Sequence, residues 1–240
     1  MSNIILSDIS GIILDYDGTV DIRGDRWSKV MLDAFRSIGV EISLSALRQT
    51  AEAVGTYLIT DDVIQPTDNF SAMMRKCASL MLQNLFQNYS IDQRFVDTPD
   101  SAAAIADYCL DYMNAGFAID RNVIARLADR FPLALVSRYY PNFSAMLDEF
   151  GLTRYFKAII QSRSLGTDAG DADIIKRGSD ALGLPCDRVL VVGQSLASDI
   201  APALSLGCRA VWIAGKNRWN QAPAGVGLAG SLRDLLNLLS

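Results

Sequence analysis

The chain has 240 residues, 50% of them hydrophobic and 20% charged, enough for one large domain or two smaller ones. Its 22 Lys and Arg against 27 Asp and Glu leave a net charge of −5, which gives no electrostatic basis for binding nucleic acid or an anionic membrane. There is no histidine, which excludes a Ser-His-Asp triad, a Cys-His pair and a histidine-ligated zinc site; any hydrolytic chemistry must then rest on carboxylates, a metal, Lys or Arg.

In chain order, Met1 to Ile5 lacks the basic start and long apolar core of a signal peptide, and no apolar run reaches ~18 residues, so a cytoplasmic protein without a membrane span is expected. Gly11 to Asp15 is an apolar run that reads as a buried strand. It delivers Asp15-Tyr16-Asp17-Gly18-Thr19-Val20. Two carboxylates one residue apart suit a hard cation such as Mg2+, and one of them can also serve as a nucleophile. Asp-Gly is equally a common tight turn, so a strand that simply ends in a bend is the plainer alternative. Helical patterns follow over 27–38, ending at Gly39, then 43–58, 70–89, and 99–115, running to Gly116. They suggest a helical insertion after the first strand, with 21–117 as a cap domain and 1–20 plus 118–240 as an α/β core. Met73, Met74, Met81 and Leu82 read either as an adaptable apolar surface or as helix core.

The remainder alternates strands (133–136, 158–160, 189–192, 210–213) with helices (142–150, 172–182, 199–206), which implies a parallel sheet flanked by helices. Residues 221–230 read as a flexible connection, and 231–239 as a terminal amphipathic helix with a capping arrangement of Ser231 and Asp234. Trp212, Lys216, Asn217, Arg218 and Trp219 form a basic-aromatic cluster. In an acidic chain this reads as a packed loop rather than a base-stacking platform. Cys77, Cys109, Cys186 and Cys208 are too scattered for a metal or redox pair and read as free, mostly core thiols.

Two later strand ends carry polar groups: Ser137, and the turn Gly193-Gln194-Ser195-Leu196-Ala197-Ser198-Asp199. A parallel sheet brings such ends to one edge, where Asp15, Asp17, Ser137 and Asp199 would surround one phosphate and one Mg2+.

With these residues in place, the chain resembles the haloacid dehalogenase superfamily over nearly its whole length. Asp15 to Val20 matches the family motif Asp-x-Asp-Gly-Thr-(Leu/Val). The resemblance implies a Rossmannoid parallel-sheet core with a helical cap inserted after the first strand. It implies a Mg2+-dependent phosphatase acting on a small phosphorylated substrate through an aspartyl-phosphate. Asp15 would be nucleophile and metal ligand. Asp17 would be the acid, with its carbonyl on the metal, and Ser137 would contact the phosphoryl group. Asp199 would support the metal. Gly18, Thr19, Ser137 and Arg138 are the phosphate-binding candidates. Asp17 also separates phosphoryl from halide chemistry, since the family's dehalogenases lack this second aspartate.

Two family positions differ. Ala169 stands where the third motif has Lys, with Gly170 in the next position and Asp168, Asp171 and Asp173 nearby. Gln194 replaces an acid of the fourth motif, leaving an uncharged oxygen donor toward the metal. Loss of one electrostatic stabiliser typically costs about two to three orders of magnitude in rate. Arg138, Arg163, Lys176 and Arg177 are the nearby candidates to compensate, Arg138 and Arg163 foremost, with ordinary surface charge as the plainer reading. A degenerate protein that binds a phosphorylated ligand or a protein partner without turnover is the alternative function. Monomer and homodimer both stay open.

Overall fold

The computed structural model describes residues 8–21, 27–138, 141–161, 171–214 and 216–239. The chain forms two compact units: Met1–Asp25, Gly116–Tyr140 and Gly151–Ser240 make one, and Arg26–Ala115 with Pro141–Phe150 make the other.

The first unit is built on a six-stranded sheet. Its strands are β1 (Gly11–Asp15), β2 (Leu133–Ser137), β3 (Ala158–Gln161), β4 (Val189–Gly193), β5 (Arg209–Ile213) and β6 (Gly227–Ala229). Their order is β3-β2-β1-β4-β5-β6, and each neighbouring pair is parallel. β1, β2 and β4 are buried at every position, as strands covered on both faces must be. Alternate residues Ile13, Ala134, Val136, Val189, Val191, Ala210 and Trp212 face one core. Ile174, Ile175 and Leu182 of α7 (Asp171–Leu182) and Ala203 of α8 (Ala201–Ser205) join the same core. The α/β class expected from strand–helix alternation is the one observed.

Two expectations for this unit are corrected. The segment 221–230 is not merely a connection, because β6 pairs with β5 through Val211 and Gly227, Trp212 and Leu228, and Ile213 and Ala229. Three residues of Gly, Leu and Ala carry little strand preference, so their pairing is imposed by the neighbouring edge. At α9 (Leu232–Leu238) Ser231 makes no side-chain capping bond; Asp234 instead reaches back to accept the Gly230 N–H at 2.8 Å.

The second unit is helical: α1 (Trp27–Ser37), α2 (Leu44–Thr60), α3 (Phe70–Tyr89), α4 (Arg94–Asp97), the first part of α5 (Pro99–Ala128), and α6 (Phe143–Glu149). Ser43 and Asn69 cap α2 and α3 by accepting the N–H of Ala46 and Ala72 at 3.1 and 2.9 Å. Glu149 accepts the Phe70 N–H at 2.6 Å, satisfying one of the donors left over at the start of α3. Met73, Met74, Met81 and Leu82 are buried, so the methionine stretch is helix core. α5 runs on past Gly116 to Ala128. Gly costs ~1 kcal/mol in a helix interior, and the buried Val123, Ile124 and Leu127 continue the apolar face beyond it.

All four cysteines are free thiols. Burial pushes Cys77, Cys109 and Cys208 up to about 12, away from nucleophilic thiolate character. In the basic-aromatic cluster, Trp212 is fully buried with the Arg218 guanidinium 4.9 Å from its ring centre. Trp219 donates to the Ala214 carbonyl at 2.9 Å. That is a packed loop. Among the described residues no helix is long and apolar enough to cross a membrane.

Trp212 links this core to the strand edge, since its indole N–H donates to the Gln194 carbonyl at 2.9 Å. Trp212→Phe removes that bond and leaves a small cavity. An equilibrium urea titration should show about 1–3 kcal/mol of lost stability.

Candidate functional site

The chain leaves β1 for β2 and β3 on one side of the sheet, then returns to β4, β5 and β6 on the other. The carboxyl ends of β1 and β4 therefore flank a topological switch point, where open parallel sheets form their ligand crevices. Asp15 closes β1, Ser137 closes β2 and Gly193 closes β4.

The turn after β1 is held from within. The Tyr16 main-chain N–H donates to the Val136 carbonyl at 2.9 Å, and the Tyr16 carbonyl accepts the N–H groups of Thr19, Val20 and Asp21 at 3.2, 3.0 and 3.2 Å. Gly18 has φ +72°, a conformation that penalises any side chain with a Cβ. The Gly18 N–H donates to the carboxylate of the buried Asp21, and the Thr19 hydroxyl donates to Asp15 Oδ2 at 3.3 Å. The main-chain N–H groups of Gly18 and Thr19, two of the phosphate-binding candidates, both donate within the turn.

The turn after β4 is equally determined. A Cβ on Gly193 would stand 2.5 Å from both Cβ and Oδ2 of Asp199, so only glycine lets that carboxylate lie over the strand end. Asp199 Oδ2 accepts the Ser195 N–H at 2.8 Å, and Ser195 Oγ accepts the Ser198 N–H at 3.1 Å. The turn Leu196–Ile200 is a π-type turn running into α8. Gln194 lies against Gly18, its Cγ only 3.0 Å from where a Gly18 Cβ would be.

Arg138 ties these pieces together. Nη1 donates to Asp15 Oδ1 at 3.2 Å and to Asp199 Oδ1 at 2.9 Å. Nε donates to Asp171 Oδ1 at 2.8 Å, and Nη2 to the Ser198 carbonyl at 2.5 Å. One guanidinium thus binds the ends of β1 and α7 and the turn after β4, its side chain only 11% exposed. The fork of fixed donors makes this possible; a Lys could not reach the same set.

The charges explain the proton affinities. Burial raises Asp15 well above the usual carboxylate range, and Asp199 and Asp17 raise it further against the pull of Arg138. Burial likewise raises Asp199, against Arg138 and the Ser195 N–H. Asp17 is pushed by burial from the ordinary 3.8 to about 6, although the Arg138 N–H and the Ser137 hydroxyl favour its charged form. For Arg138 itself burial works downward, and Asp199, Asp15 and Asp171 more than offset it, so its affinity for the proton rises.

Of the residues expected at the site, Asp15, Asp17, Ser137, Arg138 and Asp199 converge, with Ser137 Oγ 3.4 Å from Asp17 Oδ2. Gln194 is adjacent through its contact with Gly18. Arg163, Asp168, Ala169 and Gly170 lie outside the described residues. Lys176 instead pairs with Asp180 one helical turn away. Two contributors were not legible as site residues. Asp171 is one of three acids near the altered third motif, and its role as an Arg138 anchor has no sequence signal. Asp21 could have been found as an acceptor three residues after the positive-φ glycine.

The donor chemistry can be set against a hard divalent cation. Among the described residues, no three His, Cys, Asp or Glu side chains are arranged to hold a metal ion. Asp15 Oδ1 and Asp199 Oδ1 nevertheless converge on a single cationic nitrogen. Two carboxylate oxygens facing one point suit a hard cation, and Gln194, which lies against Gly18, could add only a neutral oxygen.

No protein-family model matches the chain. Among curated proteins, the 5-amino-6-(5-phospho-D-ribitylamino)uracil phosphatase YigB of Escherichia coli (strain K12) is 27% identical over 96 residues. That stretch is 40% of this chain and 39% of that protein, so the match spans well under half of the relative's length. Among solved structures, magnesium-bound YfnB of Bacillus subtilis, named a HAD-hydrolase, superposes with a TM-score of 0.56 at 14% identity, covering 97% of this chain and 99% of that one. The L-2-haloacid dehalogenase of Xanthobacter autotrophicus gives a TM-score of 0.57 at 17% identity, covering 96% and 98%. At these identities the likeness is one of fold.

The raised Asp17 has a consequence for stability. A carboxyl that binds its proton more tightly when folded adds stability that is complete below about pH 3.8 and is lost as pH rises through about 6. Asp17→Asn removes this dependence. Thermal melts should show the melting temperature of Asp17→Asn minus that of the wild type becoming more positive between pH 4.5 and 7.5; a flat difference would contradict the burial argument.

Proposed function

The chain has the haloacid dehalogenase fold, and on that premise we propose that it is a phosphatase-type hydrolase acting on a small phosphorylated metabolite through an aspartyl-phosphate at Asp15. The observation that carries this reading is the meeting of Asp15, Asp17, Ser137 and Asp199 at the carboxyl edge of the sheet. The partial sequence match to a curated phosphatase supports it.

Each residue has a part in that chemistry. The Asp15 carboxylate attacks phosphorus while the bond to the ester oxygen breaks, and that oxygen takes the proton held by Asp17. A group titrating at about 6 keeps some protonated form near neutrality and is a competent base once the proton is gone. Asp17 then takes a proton from water as the water oxygen attacks the same phosphorus. The bond to Asp15 breaks, inorganic phosphate leaves, and both carboxyl groups return to their starting states. The Ser137 hydroxyl donates to a phosphoryl oxygen. The Thr19 hydroxyl holds Asp15 Oδ2, leaving its other oxygen on Arg138. Asp15, Asp199, the Gln194 amide oxygen and the Asp17 carbonyl would hold Mg2+, which when bound supplies charge neutralisation on the transferring group.

A second reading, a protein that binds a phosphorylated ligand without turnover, is favoured by Gln194 and Ala169, both uncharged where the family pattern is charged. One assay separates the two. Mg2+-dependent release of phosphate from aryl phosphates and a panel of sugar and nucleotide monophosphates is expected for the wild type. Asp15→Asn should lower the rate by more than about a thousandfold. Absence of turnover across the panel, with retained binding of a phosphorylated compound, would favour the second reading. In the active case Asp17→Asn should abolish activity toward alkyl phosphates more completely than toward aryl phosphates, whose leaving oxygens need less protonation.

A further inference from the structure

We propose that the Arg138 guanidinium is a tethered cation that occupies the divalent-cation position of this site, so that Mg2+ binds only by displacing it. The inference rests on the reading of Asp15 and Asp199 as the carboxylate pair for a metal, and not on turnover. Arg138 Nη1 already engages the oxygen of each that faces the other, Asp15 Oδ1 at 3.2 Å and Asp199 Oδ1 at 2.9 Å. Their remaining oxygens are held by the Thr19 hydroxyl and the Ser195 N–H. Nη1 stands at the one point on which both Oδ1 atoms converge, so a guanidinium and a metal bridging the pair compete for the same two atoms. The tether is short and doubly fixed on its far side, by Asp171 at Nε and the Ser198 carbonyl at Nη2. The Asp171 carboxylate anchors the guanidinium on the side away from the Asp15–Asp199 pair.

This anchoring makes the proposal testable by sign. Ordinary electrostatics says that deleting a nearby carboxylate weakens binding of a dication, because negative charge is lost. If Asp171 is an anchor for the competitor, deleting it strengthens binding. Asp171→Asn lies at the margin of the site, with its side chain 41% exposed, and leaves every atom of the metal pair in place.

The experiment is calorimetric titration of Mg2+ alone into the purified full chain, as wild type, Arg138→Gln and Asp171→Asn, each first shown to melt cooperatively. Arg138→Gln is expected to bind Mg2+ about tenfold or more tightly than the wild type, and Asp171→Asn about two- to fivefold more tightly. Unchanged or weaker binding in Asp171→Asn overturns the inference, and that variant stands alone as the test if Arg138→Gln fails to fold. Wild-type binding as tight as that of Arg138→Gln also overturns it while leaving the metal pair intact. If none of the three takes up Mg2+ at millimolar concentration, the pair is not a metal site and the inference falls with it. Phosphate release in the absence of any such binding would still separate the catalytic reading from this one.

Discussion

Negative charge gathered at the carboxyl edge of a buried sheet is the constraint from which the rest of the site follows. Asp15 and Asp199 are almost completely buried, and Asp17 and Asp171 lie close by. Ionised carboxylates removed from water repel one another and lose hydration, and each such group costs several kcal/mol unless it is paired. The protein meets this by partial neutralisation and by one fork of donors. Burial lifts Asp15, Asp17 and Asp199 toward their protonated forms, and Arg138 supplies hydrogen bonds to Asp15 and Asp199. The cluster keeps an excess of acid over base. A surplus of that kind is hard to account for as a stabilising device and marks the cluster as a functional-site candidate.

The backbone prepares this arrangement before any side chain is considered. The return of the chain to β4 beside β1 places two strand ends together without a covering crossover between them. Gly193 lets Asp199 lie against its strand at a distance no Cβ would allow, and the Tyr16 carbonyl gathers the turn after β1. Trp212, one strand away, fixes Gln194 through its main chain rather than its side chain. The Gln194 side chain itself lies against Gly18.

Much of the core was legible because its signals are local. Apolar runs marked β1 to β5, the Asp-Gly turn marked the end of β1, and the residues 70–89 of α3 followed from uninterrupted helical periodicity. What escaped detection depends on neighbours. β6 has no strand-forming residues and exists because β5 offers an edge. Gly116 looked like a stop, yet the apolar face resumes beyond it. The partners of Arg138 come from positions 15, 171, 198 and 199, brought together by the sheet and invisible to spacing. The conspicuous arginine after the β2 hydroxyl could be seen in the sequence, and its target could not.

The uncharged Gln194 and the placement of Arg138 belong together physically. An additional carboxylate beside Asp15 and Asp199 would raise the repulsion that Arg138 already only partly offsets, and would strengthen the hold of any divalent cation over a monovalent one. With an uncharged amide at 194 the balance shifts toward the guanidinium, which carries one charge but brings several directed hydrogen bonds and stays attached to the chain. A tethered cation has a local concentration that no buffer ion matches. In the proposed exchange a divalent cation would take the Oδ1 atom that Arg138 now engages, and the Thr19 hydroxyl on Oδ2 would keep Asp15 oriented under either partner.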